Sequence, residues 1–226
     1  SNGQTVKNIE VVSGKFAWNE DKPGAEIVAD EGKATPMPRA VQERLIRLWA
    51  SPQGAAKAAL AGAGVDLLAM NRNPGGLLQE GQAKIGETSV AWEGSTPVVT
   101  FPIPGVSGAI ATAALDNRFM AERVVVKQGS TTTEFAYSNY DDWNNPLNKI
   151  EAYYAGKIVE RRNGTIVRDL TTTETETGSV YVVMPVPKSV GNAPGFPLLP
   201  SDRTAALAST AATPRTAAGK PDLTGN

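Results

Sequence analysis

The chain has no histidine and no cysteine among its 226 residues, and aromatic side chains make up only 6% of it. These scarcities remove function classes. Without histidine and cysteine, neither a Ser-His-Asp triad nor a Cys-His pair can be built. The usual zinc ligand sets are excluded with them. So are disulfides and thiol chemistry, which leaves the redox compartment unmarked. A carboxylate pair or a Ser-Lys dyad is what remains for catalysis, so a non-enzymatic role without cofactor is expected. The net charge of −1 gives no field that would gather nucleic acid or anionic lipid. No stretch approaches the roughly 20 apolar residues that span a bilayer. The start, SNGQTVKNIEVV, has neither a basic nor an apolar leader region. It reads as the mature beginning of an exported protein or as the edge of a fragment. The Thr, Ser, Gly and Asn content suits an exported protein, so a periplasmic or cell-surface location is expected.

What is present reads mainly as β structure. NIEVVSGKFAW (8–18) is rich in β-branched and aromatic residues and broken at Gly14. NEDKPG reads as a turn and AEIVAD (25–30) as a further short strand. A helical pair is expected at about 36–62. Val41, Leu45, Leu48 and Trp49 fall on one helical face, with Glu43, Arg44 and Arg47 around the other side. Ser51 followed by Pro52 suits an N-cap and first helical position, and Gly62 and Gly64 would end the second helix. The pair either plugs a cavity or simply covers a sheet. NRNPGGLLQEG (71–81) lacks the Lys and Ser/Thr of a phosphate loop and reads as a connection.

From Thr88 the pattern is a β-meander. TSVAWEG, PVVTFPI, GAIATAALD, FMAERVVVKQ and STTTEFAYSNY are strand-length segments separated by turn signals. Asn163-Gly164 is the preferred pair for a two-residue hairpin. That loop would pair Arg161 with Ile166, Val159 with Arg168 and Ile158 with Asp169. These pairs mix charge and hydrophobe, as in a curved sheet near its edge. Asn163-Gly164-Thr165 also matches a glycosylation acceptor, which the turn explains as well.

After Val190 the composition is Pro, Ala, Thr and Gly with little to bury. Residues 1–190 therefore read as one domain and 191–226 as an extended tail. That tail is expected to dock on other subunits, or on copies of this chain, through Phe196, Leu198, Leu199, Pro214, Arg215 and Leu223.

The succession of GKFAW, a helical pair, and then YSNYDDW, KIVERRNG and VRDLTTTETE resembles the lipoprotein-carrier (LolA/LolB-like) superfamily. More closely, PRAVQERLIRLWASPQGAAKAA with TEFAYSNYDDWN is similar to β domains that precede metallo-β-lactamase-type domains in exported bacterial proteins. The similarity covers about Val6 to Val190. It implies a strongly curved antiparallel sheet, a half-barrel, wrapped around helices and able to enclose a greasy cavity. The histidine-bearing hydrolase half is missing, so its activity does not transfer. TPRTAAGKPDLTGN resembles a segment near the mature start of other exported proteins, which implies a junction or docking peptide.

Two readings of function follow. One is a binding or scaffold domain, an accessory subunit of a membrane-associated or cell-surface assembly held by its tail. The other is a periplasmic carrier of lipid or another apolar ligand. In TTTEFAYSNYDDW, Thr133, Phe135 and Tyr137 share one strand face. With Trp49 and Leu45, the two aromatics would line a carrier's cavity; the alternative is that they pack on the helix. Asp141, Asp142 and Asn144 offer oxygens that could meet calcium, but without EF-hand spacing they are expected to shape a turn. Asp141 and Asp142 point to opposite faces if extended, which disfavours a glycosidase pair. Arg161, Arg162 and Arg168 could meet phosphate, although Glu160 and Asp169 stand ready to compensate them.

Overall fold

The computed structural model describes residues 8–27, 32–64, 84–142, 153–173 and 185–193. Alternation of β-branched and small residues builds two antiparallel sheets. The smaller joins β1 (Ile9–Ser13), β2 (Phe16–Glu20) and β3 (Ala34–Pro36) in chain order. The larger has eight strands: a two-residue edge strand, β4 (Lys84–Ile85), and seven of ordinary length. These are β5 (Thr88–Glu93), β6 (Thr96–Pro102), β7 (Ala109–Leu115), β8 (Ala121–Gln128), β9 (Thr131–Asp142), β10 (Tyr153–Arg162) and β11 (Thr165–Thr171). Each pairs with its sequence neighbour, so the sheet is an unclosed meander with β11 and β4 at its edges.

Two helices cross between the sheets. A 3-10 turn at Pro38–Ala40 leads into α1 (Val41–Ala50), and α2 (Pro52–Gly62) follows after one residue. Ser51 makes that sharp junction. Its Oγ accepts from the Gly54 N–H at 3.1 Å and donates to the Leu48 carbonyl at 2.7 Å. It is the N-cap expected from the sequence, with Pro52 at the first helical position. A short third helix, α3 (Lys188–Gly191), packs Val190 beside Trp18 and Ala34 of the small sheet and Ala25 of the turn between β2 and β3. The described chain thus continues past residue 190 to Ala193 without leaving the fold.

The main core lies between α1, α2 and the inner face of β6 to β10. Val41, Leu45, Ile46, Phe101, Val124, Val126, Phe135 and Tyr137 form it with many alanines. Small side chains on β7 (Ala109, Ala111 and Ala113) are fully covered, which lets the Ala-rich α2 approach closely. Mid-strand, β9 and β10 are distorted together. Asn139 takes a φ of +56°, and opposite it a side chain at Gly156 would meet the Asn139 carbonyl at 2.6 Å. Buried positions change parity across this point: Phe135 and Tyr137 face inward before it, and the half-buried Tyr140 packs on the core after it.

Three sequence expectations are corrected. AEIVAD is not a strand over its described part. Ala25 to Ile27 form a turn with Glu26 at a φ of +64°, and the third strand comes later, at Ala34–Pro36. On α1, Leu48 is 50% exposed while Arg44 is 6% exposed. The helix is covered from two directions, so its buried surface is wider than one apolar stripe, and carbonyls of β1 and β2 receive the arginine. The Asn163-Gly164 hairpin forms as expected, with both residues at positive φ (47° and 84°) and Arg161 opposite Ile166. A bulge then shifts the register, so Val159 faces Asp169 and Ile158 faces Leu170. Val167 is the extra residue.

Candidate functional site

The inner face of β9 changes chemistry along its length. Tyr137 and Phe135 are buried in the core, whereas Thr133 and Thr131 continue the same face toward the start of the strand. Their partners on β10 change in step: Tyr137 faces Ile158, Phe135 faces Glu160, and Thr133 faces Arg162. One residue pair beyond the aromatic core, a carboxylate is therefore buried, and a buried carboxylate requires cations.

They arrive from α1, β10 and β11. Arg47 Nε donates to Glu160 Oε2 at 2.8 Å, and its Nη2 reaches Oε1 at 3.3 Å. Arg162 Nη2 lies 3.5 Å from Glu160 Oε1 and 3.2 Å from Glu43 Oε1. Arg168 Nε lies 3.7 Å from Glu160 Oε2, and its other end donates to Glu10. Arg47 also pairs with Glu43 one helical turn before it and lies 3.6 Å from Glu10 of β1. The network therefore links β1, α1, β10 and β11. Arg44, one turn before Leu48, is held differently. Its Nη1 donates to the Val11 and Trp18 carbonyls at 2.8 and 2.6 Å, and its Nη2 donates to Asn19 Oδ1.

Proton affinities follow these surroundings. Burial pulls Arg47 down, but the hydrogen bond and charge of Glu160, with Glu43 and Glu10, leave it above the ordinary value. Burial dominates at Arg44, which is lowered. Burial would raise Glu43 and Glu10, yet Arg47 and Arg162 hold Glu43 below its ordinary value, and Arg168 does the same for Glu10. Burial raises Tyr137, whose hydroxyl donates to the Ala50 carbonyl at 2.8 Å. These groups are held in fixed charge states.

Beside this network lies a half-open cleft of about 230 Å³. Glu43, Glu160 and Arg162, already paired with one another, form one wall, and Ile46 supplies an apolar patch. The other wall comes from the start of the helical segment (Arg39 and Gln42) and the strand ends (Gln128, Thr131 and Thr133).

The structure brings three of the four sequence-chosen cavity residues together: Leu45, Phe135 and Tyr137 sit in the main core, with Trp49 half-buried against it. Asp141 and Asp142 are exposed at the end of β9, where Asp141 Oδ1 accepts from the Asp142 N–H at 2.9 Å. Asn144, the tail residues Phe196, Leu198, Leu199, Pro214, Arg215 and Leu223, and the 71–81 loop lie outside the described residues. Among the described residues, no cluster of three or more acidic side chains could hold a metal ion, and no helix is long and apolar enough to cross a membrane. Arg161 meets Glu134 at 3.2 Å rather than a free site. Sequence reasoning set Glu160 beside the hairpin arginines as their compensation, but it missed Arg47 and the cleft. The signal was Thr131 and Thr133 at the start of β9, on the same face as two aromatics. Comparison of the chain with family models, curated proteins and solved structures finds no match.

Proposed function

We propose that this chain is a non-enzymatic, exported binding domain that works as an accessory subunit, joining other polypeptides or copies of itself. The observation that carries the proposal is the open outer end of the large sheet. β4 pairs only with Thr88 and Ser89, so among the described residues Val90 to Glu93 have no strand on their outer side. Trp92 is 64% exposed there and Val90 is exposed beside it. At the opposite edge, β11 exposes Ile166, Val167 and Leu170. Open edges with large apolar side chains are surfaces on which another chain can pair. The absence of histidine and cysteine from the sequence supports a role without nucleophilic chemistry. So does the pairing of Glu160, Glu43 and Glu10 with arginines. The curved half-barrel form and the lipoprotein-carrier likeness belong to the same proposal; the Asn139–Gly156 distortion supports local bending of the sheet.

Native mass spectrometry on the full chain, released gently from its own membranes, tests this reading. A complex with other polypeptides, or with several copies of the chain, is the expected result. Trp92→Ser should weaken that complex without unfolding the domain. A bare monomer at every concentration would contradict the proposal, and a monomer carrying extractable lipid would favour the carrier function instead.

A further inference from the structure

The unpaired wall of the cleft has a chemistry of its own. Thr133 is 6% exposed and borders the cleft, yet its hydroxyl has no hydrogen-bond partner among the described residues. Buried polar groups are nearly always satisfied, so a hydroxyl left open toward a cavity marks a place where something else bonds. Arg39 borders the same space and has no carboxylate partner among the described residues. Gln42 and Thr131 likewise have no side-chain hydrogen bond within the described chain, and Gln128 makes only a long one, 3.4 Å, to the Ser107 carbonyl.

Charge decides the sign of the ligand. Three carboxylates (Glu10, Glu43 and Glu160) pair with Arg47, Arg162 and Arg168, and Arg44 beside them is held by backbone carbonyls, so Arg39 on the cleft wall is a further positive charge with no carboxylate partner among the described residues. Hydroxyls and amides next to a spare guanidinium fit a molecule with one carboxylate and several hydroxyls. At about 230 Å³ the cleft has the volume of roughly seven or eight waters, enough for a single small ring.

We propose that this cleft binds a small hydroxylated carboxylate of the sugar-acid type, with Arg39 taking the carboxylate and Thr131, Thr133, Gln42 and Gln128 taking hydroxyls. This site is separate from the sheet edges and does not depend on the association proposed for them. Its chemistry is shared by a free sugar acid and by a uronic acid at the end of a glycan.

The test is titration calorimetry of the full chain with glucuronate, with a disaccharide ending in glucuronate, and with glucose. Either acid should bind while glucose binds at least about tenfold more weakly, as expected when a charge-assisted pair is lost. Tighter binding of the disaccharide would assign the glycan source, and equal binding the free acid. Arg39 is exposed, so Arg39→Gln should fold normally and lose about tenfold in affinity for glucuronate. Thr133→Val keeps the branched shape and should also weaken binding while leaving thermal unfolding no lower than in the parent. Absence of heat with both acids at millimolar concentration would overturn the proposal. So would glucose binding as well as glucuronate, or affinity unchanged in both variants.

Discussion

Two neighbouring regions share the inner face of β9 and β10 and are built by opposite means. Around Phe135 and Tyr137 the space between sheet and helices is filled by hydrocarbon, with alanines on β7 and α2 allowing close approach. One step along, around Glu160 and Thr133, it is filled by an arginine–glutamate network and a polar cleft. An apolar interior gains stability from burial alone and tolerates little loss of volume. A buried ion network gains little net stability, but it is costly to break in part, and it fixes which elements meet. Here it ties β1 to α1, β10 and β11 through Glu10, Arg47, Glu160 and Arg168. The hydrocarbon end holds the fold together, and the charged end sets the docking of the small sheet and leaves a polar cleft beside it.

The largest test of this contrast sets one truncation against another. Phe135→Ala should destabilise by about 3–5 kcal/mol, as large core truncations do, with little dependence on salt in urea unfolding. Glu160→Ala should cost less, up to about 3 kcal/mol, at the low end for a broken buried pair, because Arg47 retains Glu43 and Glu10. Equal, salt-independent losses would erase the distinction.

A smaller effect sharpens the boundary between the regions. In Gly156→Ala the new methyl would meet the Asn139 carbonyl at 2.6 Å, and backbone must shift, at a cost of about 1–3 kcal/mol. Thermal unfolding measures it, and no change would mean that the distortion at Asn139 is not fixed by close contact.

The smallest effect is in acid. Glu10 and Glu43 have folded-state values below the ordinary 4.5. The unfolded chain therefore takes up protons first as pH falls. Their contribution is complete well above pH 4.5, declines through that value, and is lost once the folded-state values are passed. Both are partly exposed, so together it should reach at most about 1 kcal/mol. A Glu10→Gln, Glu43→Gln double variant should lose most of this acid-dependent part, and an unchanged slope would contradict the assignment.

Much of the hydrocarbon region was legible in the sequence, because its signals are local. Alternation marked the strands, Asn163-Gly164 marked the hairpin, and Ser51-Pro52 marked the helix junction. Thr133, Phe135 and Tyr137 were placed together on one face by period alone. The charged region was legible only at the hairpin, where Glu160 was set against Arg162 and Arg168; its other partners are remote. Arg47 and Glu160 are 113 positions apart, and Glu10 and Arg168 are 158 apart. Burial of Arg44 depends on carbonyls of Val11 and Trp18, which no helical periodicity encodes. The register of β11 slipped because a single inserted Val167, amid β-branched neighbours, leaves the alternation pattern looking intact.

The most direct test of the account is a double-mutant cycle on Arg47→Ala and Glu160→Ala, read by urea unfolding. If the charged region is a network fixing the docking of β1, α1 and β10, the two losses should fall short of adding by about 1–3 kcal/mol. Additive losses would contradict it, and would mean that these side chains stabilise the protein by packing alone.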